Sequence, residues 1–350
     1  MKLIPLIPVL LMAASCSAAS TDIPEWRWKD PEPVVEPELP EPHPAFVQAG
    51  WTNVTAAYET LPDGIAVYRS PETISGNRVI AYRAVADLSL IRWDVLSIDD
   101  PTISGTKDEL KTPSQRYAET AAPVILNGGY FFTDSGKRYN ASVAVSSGKF
   151  YGVNINYASL DWVTMYYPTR GVFYQNASGQ PAVGWTYWSG GASHYLYSEP
   201  APNSWSKDPC PLPDASYPVK AETFAPETAI GAGPVLVKDG NIVNSWEAEM
   251  FYGSGSDDKM PEARHPRTVI GFLPDRYLVL FVCEGRGMTD GVAGMTFAEE
   301  AALMKALGCT QALNLDGGGS SCLLVQGQET IKVSDGSQRP VGSVVILKKK

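Results

Sequence analysis

Two polar side chains, Asn314 and Asp316, alternate with Leu313 and Leu315 and run into Gly317-Gly318-Gly319-Ser320-Ser321. That alternation belongs to a strand with one face in a core and the other on a cleft. Glycines let the backbone turn and let a ligand come against the main chain. Their N–H groups can form an anion-binding nest, to which Ser320 adds a hydroxyl donor. A carboxylate beside such a nest suits bond breaking next to a bound anion; a plain glycine-rich hairpin turn is the duller alternative. A smaller copy of the pattern, Val124-Ile125-Leu126 followed by Asn127-Gly128-Gly129, stands earlier in the chain, where Asn-Gly also signals a hairpin.

Other segments supply partners. Tyr277-Leu278-Val279-Leu280-Phe281-Val282-Cys283 predicts a central strand buried on both faces, and it ends in Glu284-Gly285-Arg286. A carboxylate at such a strand end is either paired, here with Arg286, or functional. Arg267 precedes another apolar strand and can project into the cleft to hold a phosphate by two parallel bonds. Thr296-Phe297-Ala298-Glu299 is a capping box that starts a helix, with Gly308 as its stop. The strand, helix, strand order from Leu278 to Leu315 predicts a crossover that lays the Asp316 strand beside the Glu284 strand. Both carboxylates then come to one edge of the sheet. Gly231-Ala232-Gly233 leads into a strand instead of a helix, so it does not read as a dinucleotide site.

The frame around these groups is that of an exported β-rich protein. Residues 1–16 carry Lys2, an apolar stretch, then Ala13-Ala14-Ser15 before Cys16, the layout of a lipoprotein-type signal peptide. Residues 17–45 are rich in proline and glutamate and read as an extended tether. Residues 46–350 form one domain, with an aromatic-rich insertion at 154–222 that includes Trp162, Trp185, Trp188 and Trp205. Such aromatics either stack on sugar rings or build a small core. No later run reaches the about 18 apolar residues of a membrane span, so attachment to a membrane is expected only through lipid on Cys16. The expected location is the bacterial cell envelope. A net charge of -10 with no basic stripe argues against nucleic acid. Cys210, Cys283, Cys309 and Cys322 permit three full pairings, or stay as buried thiols. The 3 histidines are scattered, and no cysteine–histidine spacing suggests zinc.

Six motifs occur in one order: Asn127-Gly128-Gly129-Tyr130-Phe131, Gly231-Ala232-Gly233-Pro234-Val235-Leu236, Pro266-Arg267-Thr268-Val269-Ile270-Gly271, Glu284-Gly285-Arg286, Gly294-Met295-Thr296 and Ala312 to Ser321. In this they resemble the phosphodiester glycosidase family, over about Leu61 to Lys350. The resemblance implies a hydrolase that cleaves a sugar, N-acetylglucosamine among the candidates, from a sugar-1-phosphodiester. It also implies an α+β fold with a mixed, mostly antiparallel sheet core and a few packed helices. Glu284 departs from the pattern, since many relatives carry aspartate there, and the aromatic insertion is long.

Breaking an anomeric C–O bond calls for a carboxylate beside the developing oxocarbenium ion, and often a second for proton transfer. Asp316 and Glu284 are the candidates. Arg267, Arg286, the Gly317-Gly318-Gly319 amides and Ser320 are expected to hold phosphate, and Asn127, Gly128, Gly129 and Asn314 to contact sugar or phosphate oxygens. No cofactor is required by this chemistry. Three rivals stand beside it: a Ca²⁺- or Mg²⁺-dependent phosphodiesterase using the same oxygens, a serine hydrolase, and a surface lipoprotein that only binds glycans.

Overall fold

The computed structural model describes residues 49–99, 109–176, 178–191, 193–251, 261–274 and 276–350. The expected signal at 1–16, its Cys16 and the tether at 17–45 lie outside the described residues. No helix among the described residues is long and apolar enough to cross a membrane.

The α+β expectation needs adjusting, because the fold is mainly β. Eight-, seven- and five-stranded sheets account for most of it, and the described residues form only two α-helices, Pro113–Thr120 and Phe297–Ala306. The strands of the central, eight-stranded sheet that matter for the site are neighbours in the order Ala81–Asp87, Tyr277–Cys283, Arg267–Leu273, Gln311–Asn314, Val235–Lys238. Each pairs antiparallel with the next. Tyr277–Cys283 is the expected doubly buried strand: from Leu278 onward every residue is buried. Its two faces pack differently. Val279 and Phe281 lie under the helix with Phe297, Ala301 and Met304, whereas Leu278 and Leu280 join a core shared with Trp93, Phe173, Trp185 and Val345 from the other sheets. Burying each such side chain contributes about 1.5–3 kcal/mol.

The helix begins and ends as its sequence predicts. Thr296 accepts from Glu299 N, and the Glu299 side chain accepts from Thr296 N. The predicted neighbour relation is corrected, however. Arg267–Leu273 lies between the Glu284 strand and the Asp316 strand, so these two do not pair. Strand adjacency depends on long-range packing, and a strand–helix–strand order does not exclude an intervening hairpin partner. Because Arg267–Leu273 runs antiparallel to both neighbours, the two outer strands are still parallel to each other and end at one edge.

After Asn314 the chain leaves this sheet. Leu323–Val325 pairs instead with Val124–Asn127 in the five-stranded sheet. The triglycine segment is thus the place where the chain changes sheets. Gly318 has φ +60°, a left-handed conformation that glycine adopts without penalty. The segment 154–222 is woven into the seven-stranded sheet, supplying Arg170–Gln175, Pro181–Trp188 and His194–Tyr197. Trp185, in the middle of it, is 1% exposed and belongs to the shared core.

Candidate active site

The registers decide what meets at the sheet edge. Arg267 is opposite Cys283, and Val269 is opposite Asn314. Glu284 and Asp316 therefore follow strands whose ends lie at the same edge, with one strand between them. Adjacent strands are about 4.8 Å apart, which puts their backbones roughly 10 Å from one another there.

Asp316 is held from two sheets at once. Its N–H donates to the Gly128 carbonyl (3.0 Å), and its carbonyl accepts from Asn127 Nδ2 (2.6 Å). The carboxyl group is half-buried, accepts from the Ser320 hydroxyl and Gly317 N–H, and sits in the field of Arg339 and Arg286. Loss of hydration outweighs all of these, and pushes its pKa up to about 6. A carboxyl group so tuned can give up and take back a proton near neutrality.

Asn127 and Asn314 have different surroundings. Asn127 is fully buried, and its Oδ1 accepts from Thr268 Oγ1 and Cys322 N, both at 3.0 Å. Thr268 Oγ1 also meets Ser321 Oγ at 3.1 Å, so Asn127 locks both sides of the sheet change. Asn314 donates through Nδ2 to the Gly233 carbonyl (2.7 Å) and to the Tyr130 hydroxyl (3.2 Å). Its Oδ1 is buried and makes no hydrogen bond. An acceptor in that state costs free energy unless something donates to it, which makes it a candidate to accept from a ligand. Tyr130 in turn donates to the Gly233 carbonyl (2.9 Å), and burial first, then the Asp316 charge, hold its hydroxyl strongly in the neutral form.

The other expected residues are distributed as follows. Glu284 is buried; Oε2 accepts from Lys332 N (3.1 Å), whereas Oε1 is buried and unbonded. Arg286, its expected partner, turns instead toward Ser334 Oγ (3.4 Å) and Asp335 (4.0 Å). Arg267 points beneath the helix: Nε donates to Met295 O (2.8 Å), Nη2 to Ala263 O (3.0 Å), and the guanidinium lies 4.1 Å from the centre of the Phe297 ring. Glu300 Oε2 is 3.9 Å away, and burial pushes the Glu300 pKa up to about 8 despite that cation. The expected amide nest is largely closed on itself, for Gly318 N donates to Pro266 O, Gly317 N to Asp316, and Ser320 N to Gly317 O. Gly128 N and Gly129 N are likewise taken by Ser343. A Cβ on Gly129 would lie 2.3 Å from the Gly231 carbonyl, so that glycine serves close backbone packing.

Sequence reasoning missed three side chains. Arg339 reaches Asp335 Oδ2 through Nε and Nη2 (2.9 and 2.6 Å) and Ser320 Oγ through Nη1 (3.4 Å), with Gly319 beneath it. Nothing local in Gln338-Arg339-Pro340 announces this. Tyr130 stands within a quoted motif, where its place directly after Asn127-Gly128-Gly129 was a usable signal. Arg170 starts a strand beside the site and had no signal beyond the tyrosines around it. Trp188, by contrast, is stacked on His194 at 5.4 Å and donates to Gly191 O. Among the described residues no three His, Cys, Asp or Glu side chains are grouped to hold a metal ion.

The chain is similar in fold to the catalytic domain of zebrafish N-acetylglucosamine-1-phosphodiester α-N-acetylglucosaminidase, described as auto-inhibited by its pro-peptide. The TM-score is 0.53 at 18% identity, covering 84% of this chain and 86% of that one. A hypothetical protein from Synechocystis gives 0.53 at 17% identity, over 86% of this chain and 68% of that one. An uncharacterized prophage-derived protein of Bacillus subtilis strain 168, YomE, is 38% identical over 78 residues, which span 22% of this chain and only 12% of that protein. The family model for phosphodiester glycosidases matches residues 121–348, the stretch that carries Asn127, Tyr130, Arg170, Glu284, Asn314, Asp316 and Arg339, and the chain belongs to that family.

Proposed function

We propose that this protein is an exported hydrolase that cleaves a sugar from a sugar-1-phosphodiester at the anomeric C–O bond. Asp316 carries the reading: a half-buried carboxyl group with its pKa raised to about 6, fixed at a change of sheets, with the open acceptor of Asn314 two residues away. The C1–O bond to phosphate breaks, a water oxygen forms the new bond to C1, and the water proton passes to a carboxylate. The products are free sugar and a phosphomonoester. Asp316 suits the proton transfer, and Glu284, with Oε1 open, is the second carboxylate. Asn314 Oδ1 accepts from a sugar hydroxyl. Arg286 and Arg339, each with about two-fifths of the side chain exposed, form a cationic rim that draws an anion toward an otherwise acidic protein. The name of the zebrafish neighbour makes an N-acetylglucosamine-1-phosphodiester the first substrate to try.

The test is to incubate the protein with a panel of sugar-1-phosphodiesters in isotopically labelled water. Label in the released sugar supports C–O cleavage. Label in the phosphate, together with loss of activity in a strong chelator, would replace this reading by metal-assisted phosphodiester hydrolysis.

A further inference from the structure

The site region contains four arginines, and they differ in what already satisfies them. Arg267 is engaged beneath the helix by two carbonyls and the Phe297 ring. Arg286 and Arg339 share Asp335. Arg170 is the exception: Nε is buried without a hydrogen bond, and no other guanidinium nitrogen makes one among the described residues. Its position is nevertheless fixed. The guanidinium lies 4.7 Å from the centre of the Phe251 ring, and Phe251 packs against Tyr130 at 5.4 Å. The next residue, Gly171, sits so close to Leu313 that a Cβ there would come within 2.6 Å of Leu313 Cδ1. Arg170 is therefore beside the strand that ends in Asn314, and is linked through Phe251 to the tyrosine whose hydroxyl receives the Asn314 amide.

The charged groups facing it among the described residues are few. The Glu249 charge favours the Arg170 cation, but no ion pair joins the two side chains. Glu249 already accepts four hydrogen bonds, from Gly171 N, Trp185 Nε1, Val235 N and Ser245 Oγ. Tyr130 stays neutral, as its burial requires. A guanidinium that makes no hydrogen bond among the described residues, seated on an aromatic face and half-buried, is a strong bidentate receptor for a carboxylate or phosphate.

We propose that Arg170, seated on the Phe251 ring that packs against Tyr130, is the inner ligand for the substrate's phosphodiester oxygens, with Arg286 and Arg339 serving as the outer, attracting rim. The proposal rests on the functional reading above, since it assumes an anionic substrate. It assigns the phosphate-holding role to a residue outside the motifs that carry the family resemblance.

The experiment uses the full chain with Arg170→Met, Arg170→Lys and Arg286→Met. Each is titrated with inorganic phosphate and, separately, assayed on a sugar-1-phosphodiester and on an aryl glycoside of the same sugar. The expected result is about 10- to 100-fold weaker phosphate binding in Arg170→Met, the scale of a lost charge-assisted pair of bonds. Arg170→Lys, which keeps the charge but not the fork, falls in between. KM for the phosphodiester rises in parallel while the aryl glycoside is unaffected. If Arg170→Met does not fold, Arg170→Lys alone decides, since unchanged phosphate affinity there, with the wild-type KM, would overturn the proposal. Phosphate affinity lost only in Arg286→Met would overturn it too, as would a wild-type protein that does not bind phosphate. Phosphate binding that depends on Arg170 in a protein that turns over no phosphodiester would uphold the anion subsite and remove the functional reading instead.

Discussion

Asn127 and Asn314 end strands in two different sheets, and both lead into glycines, yet the surrounding bonds give them opposite characters. Asn127, itself fully buried, has its carbonyl oxygen accepting twice and its amide donating to the Asp316 carbonyl. Asn314 uses only its amide and leaves a buried oxygen open. The first ties the change of sheets together, and the second holds the acceptor that the proposed reading assigns to substrate. A polar residue in a motif is thus sorted by which of its atoms the fold leaves unbonded. Burial instead separates Trp185 from the partly exposed Trp188, since both indole N–H groups are bonded, to Glu249 and to Gly191 O.

The largest effect follows from that second pair. Trp185→Ala should cost about 4 kcal/mol, because it opens a cavity in the shared core and takes a donor from a buried carboxylate. Chemical denaturation measures this, and a loss under about 1 kcal/mol would mean that Trp185 is not a core residue. Asn127→Ala comes next, at about 3 kcal/mol, since it leaves Cys322 N and the Asp316 carbonyl without partners. Asn314→Ala should cost less stability than Asn127→Ala but lower kcat/KM by about 10-fold or more; equal stability losses and equal activities would erase the contrast.

A pH effect of about 3 kcal/mol is expected from Asp316. Its pKa is raised in the folded state, from 3.8 to about 6, so the folded protein binds a proton that the unfolded chain releases. Stability from this group is therefore complete below about pH 4 and declines as pH rises to about 6. Comparing Asp316→Asn with wild type across that range should show the variant gaining relative stability with pH, then levelling off. A difference independent of pH would contradict the raised pKa. The smallest effect belongs to Trp188→Ala, expected within about 0.5 kcal/mol of wild type. A raised KM in that variant would restore the sugar-stacking reading of the aromatic segment.

Much of this organisation was legible. The capping box at Thr296, the doubly buried strand ending at Cys283 and the alternation into Asp316 are local patterns, and local patterns report local structure. The Pro113–Thr120 helix went unread, although Thr112-Pro113-Ser114-Gln115 is a capping box with proline at the first helical position. The strand between the two carboxylates was not legible, because pairing partners are chosen by packing across the whole sheet. Nor did the spacing of Arg267 show that its side chain turns beneath the helix. Arg339, which influences Asp316, lies 23 residues beyond it in an exposed loop of ordinary composition. Asp335, by drawing both Arg286 and Arg339 to one spot, assembles a cationic rim that no stretch of sequence contains.

The central claim is that Asp316 performs chemistry and does not merely shape a turn. The most direct measurement is turnover of a sugar-1-phosphodiester by Asp316→Asn, with folding confirmed by its melting temperature. A folded variant with kcat reduced by about 10²- to 10⁴-fold, and without the wild-type pH limb near 6, is the predicted result. A folded Asp316→Asn protein with full turnover would contradict it.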